Sequence, residues 1–391
     1  MIARFFSSAD YARNRSLAAA ILSAALAGCG FGLLMPLIAL NLEAMTGSGM
    51  VVGVNGAAAA LSTIIATPFI PALLARIPPR ALMAACALAT GFGLLAFPVI
   101  PDVTAWWVLR FLVGLAVTVV FVGSETWINQ LAKPGGRATL LAVYAATLAA
   151  GWGSGGLILS VVGSQGFAPW IAGAAIFFAG AIPLFILRGP ELQPPGAGES
   201  GFKAMAAVAR LAPAAIIAGL IFGAMETSIF TLMPVYAGRI GFTEAMIGVL
   251  VAAGALGGIA LQVPIGRLAD RTGAVRTLRL VAVGAVILPL LIALAGGTVW
   301  LLLSLIFLFA GLSSAFYTVG LAHLGERVKA TSLAAANSAF IFAYGVGSLV
   351  GPPAAGAAMD VLNPWGLLLT FAALAVVYLL GSWREKDMAG H

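Results

Sequence analysis

The sequence predicts an all-α membrane protein with twelve transmembrane helices in two pseudo-symmetric six-helix bundles. Three observations predict this fold class: an apolar composition, twelve long apolar segments, and a one-sided distribution of basic residues. Of the 391 residues, 62% are hydrophobic and 8% are charged, and the mean hydropathy is +1.08. Soluble globular proteins carry roughly 25% charged residues. This chain therefore has more apolar surface than a water-soluble core can bury, and the excess must face lipid.

Twelve apolar segments follow one another along the chain. A helix needs about 20 apolar residues to cross a bilayer. The first six segments are residues 17–43, 50–75, 81–100, 104–131, 138–162 and 167–187. The second six are residues 211–237, 245–266, 277–297, 299–322, 332–354 and 364–383. The first segment is longer than the core of a signal peptide, so we interpret it as an uncleaved first helix.

The longest polar interruption lies between the sixth and seventh segments. Its Pro, Gly and charged residues are typical of a flexible linker. We therefore predict an N-terminal six-helix bundle at residues 1–187, a cytoplasmic linker at 188–207 and a C-terminal six-helix bundle at 208–391.

The two halves also contain similar short sequences. Leu34-Met35-Pro36 recurs as Leu232-Met233-Pro234 with a shift of 198 residues. Gly151-Trp152-Gly153-Ser154 recurs as Gly345-Val346-Gly347-Ser348 with a shift of 194 residues. Duplicated halves around a midplane site suit alternating access, in which one half rocks against the other.

The basic residues predict the orientation of the chain. If the N-terminus is cytoplasmic, eighteen of the 20 Lys and Arg residues lie on the cytoplasmic side of the twelve spans. The two exceptions are Arg110, inside the fourth span, and Arg239, after the seventh. Cytoplasmic loops of membrane proteins are enriched in Lys and Arg. We therefore predict that both termini are cytoplasmic and that the net charge of +7 reflects topology, with no nucleic-acid partner.

One motif lies between the eighth and ninth spans. Gly266-Arg267-Leu268-Ala269-Asp270-Arg271-Thr272-Gly273 resembles the G-x-x-x-D-[RK]-x-G signature of the major facilitator superfamily. The resemblance implies a short turn and a cytoplasmic gate, in which Asp270 meets a helix N-terminus or an arginine. The predicted gate residues are Gly266, Asp270, Arg271, Gly273 and Glu326, the last paired with Arg267 or Arg271. The alternative is a basic turn that only sets topology.

Ionisable side chains inside membrane spans are costly and mark functional sites. Arg110 and Gly114 resemble the R-x-x-x-G element of proton-driven antiporters, whose arginine is thought to influence the protonation of a nearby carboxylate. The alternative for Arg110 is snorkelling to the membrane interface. The companion helix-5 signature of that group is only partly matched, because Trp152 replaces its proline. We predict proton coupling through Glu226, Arg110 and Glu125.

Glu226 lies past mid-depth in the seventh span, about 24 Å along the helix from Arg210. At the shift of 198 its counterpart is Gly28. Aromatic and methionine side chains share its face at i−4, i+4 and i+7, an arrangement that suits an amphipathic or cationic solute.

The predicted cavity residues are Phe222, Phe230, Met233, Met35, Tyr144, Trp152, Asn337 and Tyr344. Helix packing is the alternative for the last four. A neutral hydrogen-bonded carboxyl is the alternative for Glu226, and a structural pair with Arg137 is the alternative for Glu125.

The chain is similar to the YcaD-like branch of bacterial permeases in this superfamily at Glu125-Thr126-Trp127 and in the segments 137–144, 266–270 and 337–352. We therefore expect a secondary active transporter of a small organic solute, coupled to protons, monomeric and surrounded by lipid in the bacterial inner membrane. We expect no enzyme activity, cofactor or metal, and the chain has no G-x-x-x-x-G-K-[ST] phosphate loop for ATP-driven transport. The alternatives are an uncoupled facilitator or lipid flippase, and a non-transporting sensor or assembly protein.

Overall fold

A computed structural model describes residues 8–132, 137–190, 210–295, 298–328, 333–383 and 385. Eleven helices in this part of the chain are long and apolar enough to cross a membrane. A further apolar helix, Gly366–Ser382, has 17 residues. Helices therefore occupy all twelve predicted apolar segments, and the predicted fold class is confirmed at the level of its elements.

The helices of the first half are α1 Ser8–Thr46, α2 Gly49–Ala66, α3 Ile70–Arg76, α4 Pro79–Ala96, α5 Val103–Leu131, α6 Arg137–Val162 and α7 Ala168–Ile186. The second predicted segment is thus divided between α2 and α3. The division falls at Pro68, which has no backbone N–H for a helical hydrogen bond.

The helices of the second half are α8 Pro213–Arg239, α9 Glu244–Ala260, α10 Gln262–Thr272, α11 Ala274–Ala295, α12 Val299–Arg327, α13 Leu333–Val361 and α14 Gly366–Ser382. The residues after the eighth predicted span form the helix α10 and not the short turn that we predicted. This correction places Gly266 and Asp270 on a helix, and Gly273 directly after its end.

Local sequence signals explain where several helices begin. The Asp102 side chain accepts a hydrogen bond of 2.7 Å from the Ala105 N–H at the start of α5. The Thr243 side chain accepts one from the Met246 N–H at the start of α9. Such side chains satisfy N–H groups that have no partner within the helix.

The described residues divide into two compact units. The first draws on Met1–Leu34 and Leu61–Gly196, and the second on Met35–Ala60 and Ala197–His391. Both α1 and α2 therefore contribute to each unit. Most of the predicted linker, residues 191–207, lies outside the described residues. The predicted domain boundaries at 187 and 208 accordingly stay a prediction.

Close helix approach reveals the internal repeat more clearly than the sequence does. A methyl group on Gly151 of α6 would collide with the Ala25 carbonyl of α1, and one on Gly347 of α13 would collide with the Leu220 carbonyl of α8. Since only glycine permits this approach, Gly151 and Gly347 are equivalent, and they are 196 residues apart in the chain.

The contacts of α1 and α8 correct the predicted shifts. Gly28 packs on Leu148 and Trp152, and Gly223 packs on Tyr344 and Ser348, so these two glycines are equivalent at a shift of 195 residues. The predicted shifts of 194 and 198 were therefore wrong for these helices, because short sequence matches ignore which side chains meet. At the corrected shift, the counterpart of Glu226 is Phe31 and not Gly28.

Candidate functional site

The strongest candidate site in the second unit is centred on Glu226 of α8. The Tyr344 hydroxyl of α13 donates a hydrogen bond of 2.8 Å to Glu226 Oε2. This bond forms because Gly223 and Gly347 let the backbones of α8 and α13 approach closely. Glu226 and Tyr344, which are separated by 118 residues in sequence, are thus brought together.

Aromatic rings from three helices lie beside this pair. The Phe222 ring of α8 is 5.6 Å from the Tyr344 ring and 5.3 Å from the Tyr317 ring of α12, measured between centroids. Tyr317 also packs edge-on against Phe340. An acid beside such rings can interact with a cation both through its charge and through the ring faces. Sequence reasoning named Phe222 and Tyr344 but missed Tyr317, whose available signal was a tyrosine in the middle of an apolar span.

The remaining predicted cavity residues of the second unit differ in exposure. Met233 and Met35 are buried, whereas Phe230 is half-buried and Asn337 is exposed. Burial of both methionines favours helix packing for them. The placement of these four residues in a common cavity with Glu226 stays a prediction.

In the first unit, Arg110 of α5 is 2% exposed and lies over the Phe31 ring of α1, with Cζ 5.4 Å from the ring centroid. The ring of Phe31 is also 6.1 Å from that of Phe121 and 5.6 Å from that of Trp152. Arg110 therefore does not snorkel, and this alternative was wrong. The guanidinium is held by a cation–π contact inside the first unit.

Glu125 and Arg110 are on the same continuous helix, α5, and are about 22 Å apart along its axis. They do not form one site. Tyr144 of α6 is buried beside α5, with its hydroxyl 3.5 Å from Ser124 Oγ. The side chain of Arg137, the predicted structural partner of Glu125, lies outside the described side chains.

The superfamily motif lies on α10, where Asp270 and Arg271 are exposed. Glu326 is exposed near the end of α12. Within the described residues no ion pair joins Glu326 to Arg267 or Arg271 in this conformation, and the expected pairing stays a prediction. The gate itself stays a prediction.

The two glycines of the motif have different roles. Gly273 ends α10 with φ +91° and ψ +149°, a conformation that other residues rarely adopt. A methyl group on Gly266 would meet no atom within 4 Å. We therefore expect Gly273→Ala to destabilise the fold by about 1–3 kcal/mol, and Gly266→Ala, the matched control, to be neutral or slightly stabilising. Thermal unfolding of purified protein would measure both, and equal effects would contradict this assignment.

A charged cluster at the end of α8 was not predicted from the sequence. Arg239 at the end of α8 donates to Glu43 of α1, with Nε 2.7 Å from Oε1, and to Asp360 of α13, with Nη2 2.9 Å from Oδ1. Asp360 also accepts hydrogen bonds from the N–H groups of Gly49 and Met50 at the start of α2. Glu43 and Asp360 both lie at helix ends, and Arg239 draws them into a partly buried ion-pair network.

Taken together, the apolar helices, the internal repeat and the ionisable groups within spans define a multi-pass membrane protein of a transporter type. The Major Facilitator Superfamily model matches residues 20–314 and 215–387. The chain therefore belongs to the major facilitator superfamily, and the predicted fold and family are confirmed.

Proteins of similar sequence support the assignment to this superfamily. The chain is 32% identical over 296 residues to the MFS-type transporter YcaD of Shigella flexneri serotype 5b (strain 8401), covering 73% of each chain. The same values hold for YcaD of Escherichia coli O139:H28 (strain E24377A / ETEC). Among solved structures, the nucleoside transporter NupG superposes with a TM-score of 0.79 at 17% identity, over 95% of this chain and 100% of NupG. The similarity to NupG concerns the fold alone.

Proposed function

We propose that this chain is a secondary active transporter that moves a small organic solute of amphipathic or cationic character across the bacterial inner membrane. We further propose that it works by alternating access, is coupled to protons and functions as a monomer with both termini in the cytoplasm. Glu226 is the proposed proton-coupling residue, assisted by Arg110 and Glu125. The observation that carries this proposal is the hydrogen bond between Tyr344 and Glu226 beside an aromatic cluster.

The chemistry of this site supports both parts of the proposal. A carboxyl group inside a span is costly in its ionised form unless a cation or a strong donor is near. Either a proton or a cationic solute can neutralise Glu226, so the two can compete for the same group. Phe222 and Tyr317 add ring faces that favour a flat or cationic solute over an anion.

The solute and the coupling are tested in two stages. A thermal-shift screen of the purified protein against metabolites and cationic drugs identifies solutes that bind the folded state, since binding raises its stability. Uptake of the best solute into proteoliposomes is then measured with and without an imposed pH gradient. Accumulation that requires the gradient supports the proposal. Flux that ignores the gradient favours an uncoupled facilitator, and binding without flux favours a sensor or assembly protein.

The proposed gate on α10 has its own test. We expect Asp270→Asn to reduce transport by roughly 10- to 100-fold, since a hydrogen bond to a charged group contributes about 1.5–3 kcal/mol and about 1.4 kcal/mol corresponds to a factor of ten. The control Asp270→Glu keeps the charge and should retain most transport. Solute flux at matched protein levels in proteoliposomes is the measurement. Full transport by the Asn variant would reduce the motif to a basic segment that only sets topology.

A further inference from the structure

The end of α1 and the start of α2 belong by sequence to the first half of the chain, but they lie in the second unit. The boundary between the units crosses α1 after Leu34 and α2 after Ala60. The equivalent helices of the second half, α8 and α9, lie in the second unit along their whole length. The segment 35–60 therefore packs with helices of the other half of the sequence.

An ion-pair network joins this segment to α8 and α13. Arg239 of α8 binds Glu43 near the end of α1 and Asp360 near the end of α13. Its Nη2 also donates to the carbonyl oxygen of Gly47 at 3.3 Å, and its Nη1 to that of Met359 at 3.3 Å. The side chains of Arg239, Glu43 and Asp360 are 11, 21 and 28% exposed. Because water reaches these groups, the ion pairs can separate at a lower cost than buried ones.

The carboxylate of Asp360 also caps α2. It accepts hydrogen bonds from the N–H groups of Gly49 and Met50 and from Ser48 Oγ, at 2.7, 3.0 and 2.7 Å. A carboxylate is favourable at a helix N-terminus, because the first N–H groups have no partner within the helix. The cap of α2 is thus supplied by a different helix, from a residue 311 positions after Gly49.

The start of α2 also carries a cap of its own. Ser48 Oγ accepts a hydrogen bond of 3.3 Å from the N–H of Val51, the third residue of the helix. Serine directly before the first helical residue is a favoured N-cap. When the Asp360 carboxylate is absent, Ser48 can still satisfy one N–H of the first turn, and water can satisfy the others. The start of α2 is therefore suited to two states.

Further along α2, glycines allow the helices to touch. A methyl group on Gly53 would collide with the Pro352 carbonyl of α13. One on Gly56 would lie 2.8 Å from Thr231 Oγ1 of α8. Gly49, Gly53 and Gly56 are four and three residues apart, so they share one face of α2. This face packs closely without interlocking side chains.

The contact between α2 and α8 buries a polar group that it does not satisfy. Thr231 is 4% exposed, and its hydroxyl has no hydrogen-bond partner among the described residues. The same is true of Ser228, three residues earlier on α8 and 0% exposed. A buried hydroxyl without a partner costs free energy that water would restore. The closed contact is therefore opposed by these hydroxyls, although the ion pairs and the cap favour it.

We infer that these contacts form a releasable latch, in which Asp360 caps α2 while Arg239 joins α1 to α13, and Ser48 takes over the cap when α13 leaves. We call Glu43, Ser48, Arg239 and Asp360 the outer latch. The inference rests on the proposed alternating access. With both termini in the cytoplasm, the outer latch lies at the outer face of the membrane and must open for a solute that enters there.

Thiol labelling at a buried position of α2 tests the latch. Val52 is 0% exposed and lies four residues before Gly56, on the same face of the helix. In full-length protein whose Cys29 and Cys86 are replaced by alanine, Val52→Cys reports opening through its rate of reaction with a charged maleimide. We expect Arg239→Gln to speed this reaction by roughly 10- to 100-fold, since a hydrogen bond to a charged group contributes about that factor.

Val281→Cys is the matched control probe. Val281 is 2% exposed on α11, which packs mainly on α12 and α14, so its labelling should not change in Arg239→Gln. Thr231→Val removes the unpaired hydroxyl and keeps the shape. Added to Arg239→Gln, it should slow labelling of Val52→Cys by about fivefold. Three results would overturn the inference: faster labelling at both probes, an unchanged rate at Val52→Cys, or faster labelling with Thr231→Val.

Amide hydrogen exchange in residues 50–54 tests the exchange of caps. We expect Ser48→Ala to speed it by about fivefold in the Arg239→Gln background, where Ser48 is the main cap. The effect should be smaller with Arg239 present, because Asp360 then holds the same helix start. Equal effects in both backgrounds would contradict the role of Ser48. Neither experiment uses a solute or a pH gradient, so a wrong solute or coupling residue leaves both measurements unaffected.

Discussion

Replacing Glu226 by Gln should abolish proton-driven accumulation of the solute and leave downhill exchange partly intact. Gln has nearly the same size and can still accept the hydrogen bond from Tyr344, but it cannot bind and release a proton. The measurement is solute flux in proteoliposomes, with and without an imposed pH gradient. We expect the accumulation ratio to fall to one, while counterflow of labelled solute continues.

Tyr344→Phe is the matched control for this result. It removes the hydroxyl donor but keeps the ring that packs on Phe222 and leaves the carboxyl of Glu226 in place. Accumulation should therefore persist, with an altered dependence on pH. If Glu226→Gln still concentrates the solute against a gradient, Glu226 is not the coupling residue. Glu125 then becomes the next candidate.

Replacing Arg239 by Gln should destabilise the protein by about 1–3 kcal/mol, because it leaves the carboxylates of Glu43 and Asp360 close together without their shared cation. The estimate is below that for a fully buried pair, since these side chains are 11–28% exposed. Thermal unfolding of the purified protein is the measurement. The loss should shrink in the Asp360→Asn background, where one of the two like charges is already absent.

Arg239→Lys separates charge from geometry at the same position. Lysine keeps the positive charge but cannot reproduce the forked contacts that Arg239 makes with Glu43 Oε1 and Oε2. We therefore expect an intermediate loss of stability. Wild-type stability in both variants would show that this cluster contributes nothing measurable, as happens for many exposed ion pairs.

Part of the candidate site could be predicted from the sequence, because an ionisable residue inside an apolar segment is visible in the segment itself. Glu226 and Arg110 stand out in sequence for this reason, and Phe222 shares a helix face with Glu226 through its spacing. Their partners were harder to predict. Phe31 lies under Arg110 and Tyr317 lies beside Phe222 because of how helices rotate against each other, and no spacing rule within one helix encodes that rotation.

The partners of charged residues at the helix ends could not be predicted from the sequence either. In the sequence, Glu43, Asp360 and His323 are isolated polar residues near the ends of apolar segments, and nothing beside them in the chain indicates a partner. In the folded chain Arg239 is 196 residues from Glu43 in sequence and binds it directly. Likewise His323 meets Glu385 across 62 residues. Such pairs depend on which helix ends lie next to each other in the folded chain. Hydropathy does not predict which ends are neighbours.

The sequence by itself determined the class of protein, the number and position of its apolar helices, and the superfamily to which it belongs. These properties follow from hydropathy and from short motifs. Both are read from neighbouring residues in the chain, so they do not depend on how the helices pack. The tertiary structure alone decided the register of the internal repeat, the hydrogen bond between Tyr344 and Glu226, and the ion pairs of Arg239 with Glu43 and Asp360. Each of these requires a backbone approach that glycines at distant positions permit, or the meeting of helix ends far apart in sequence.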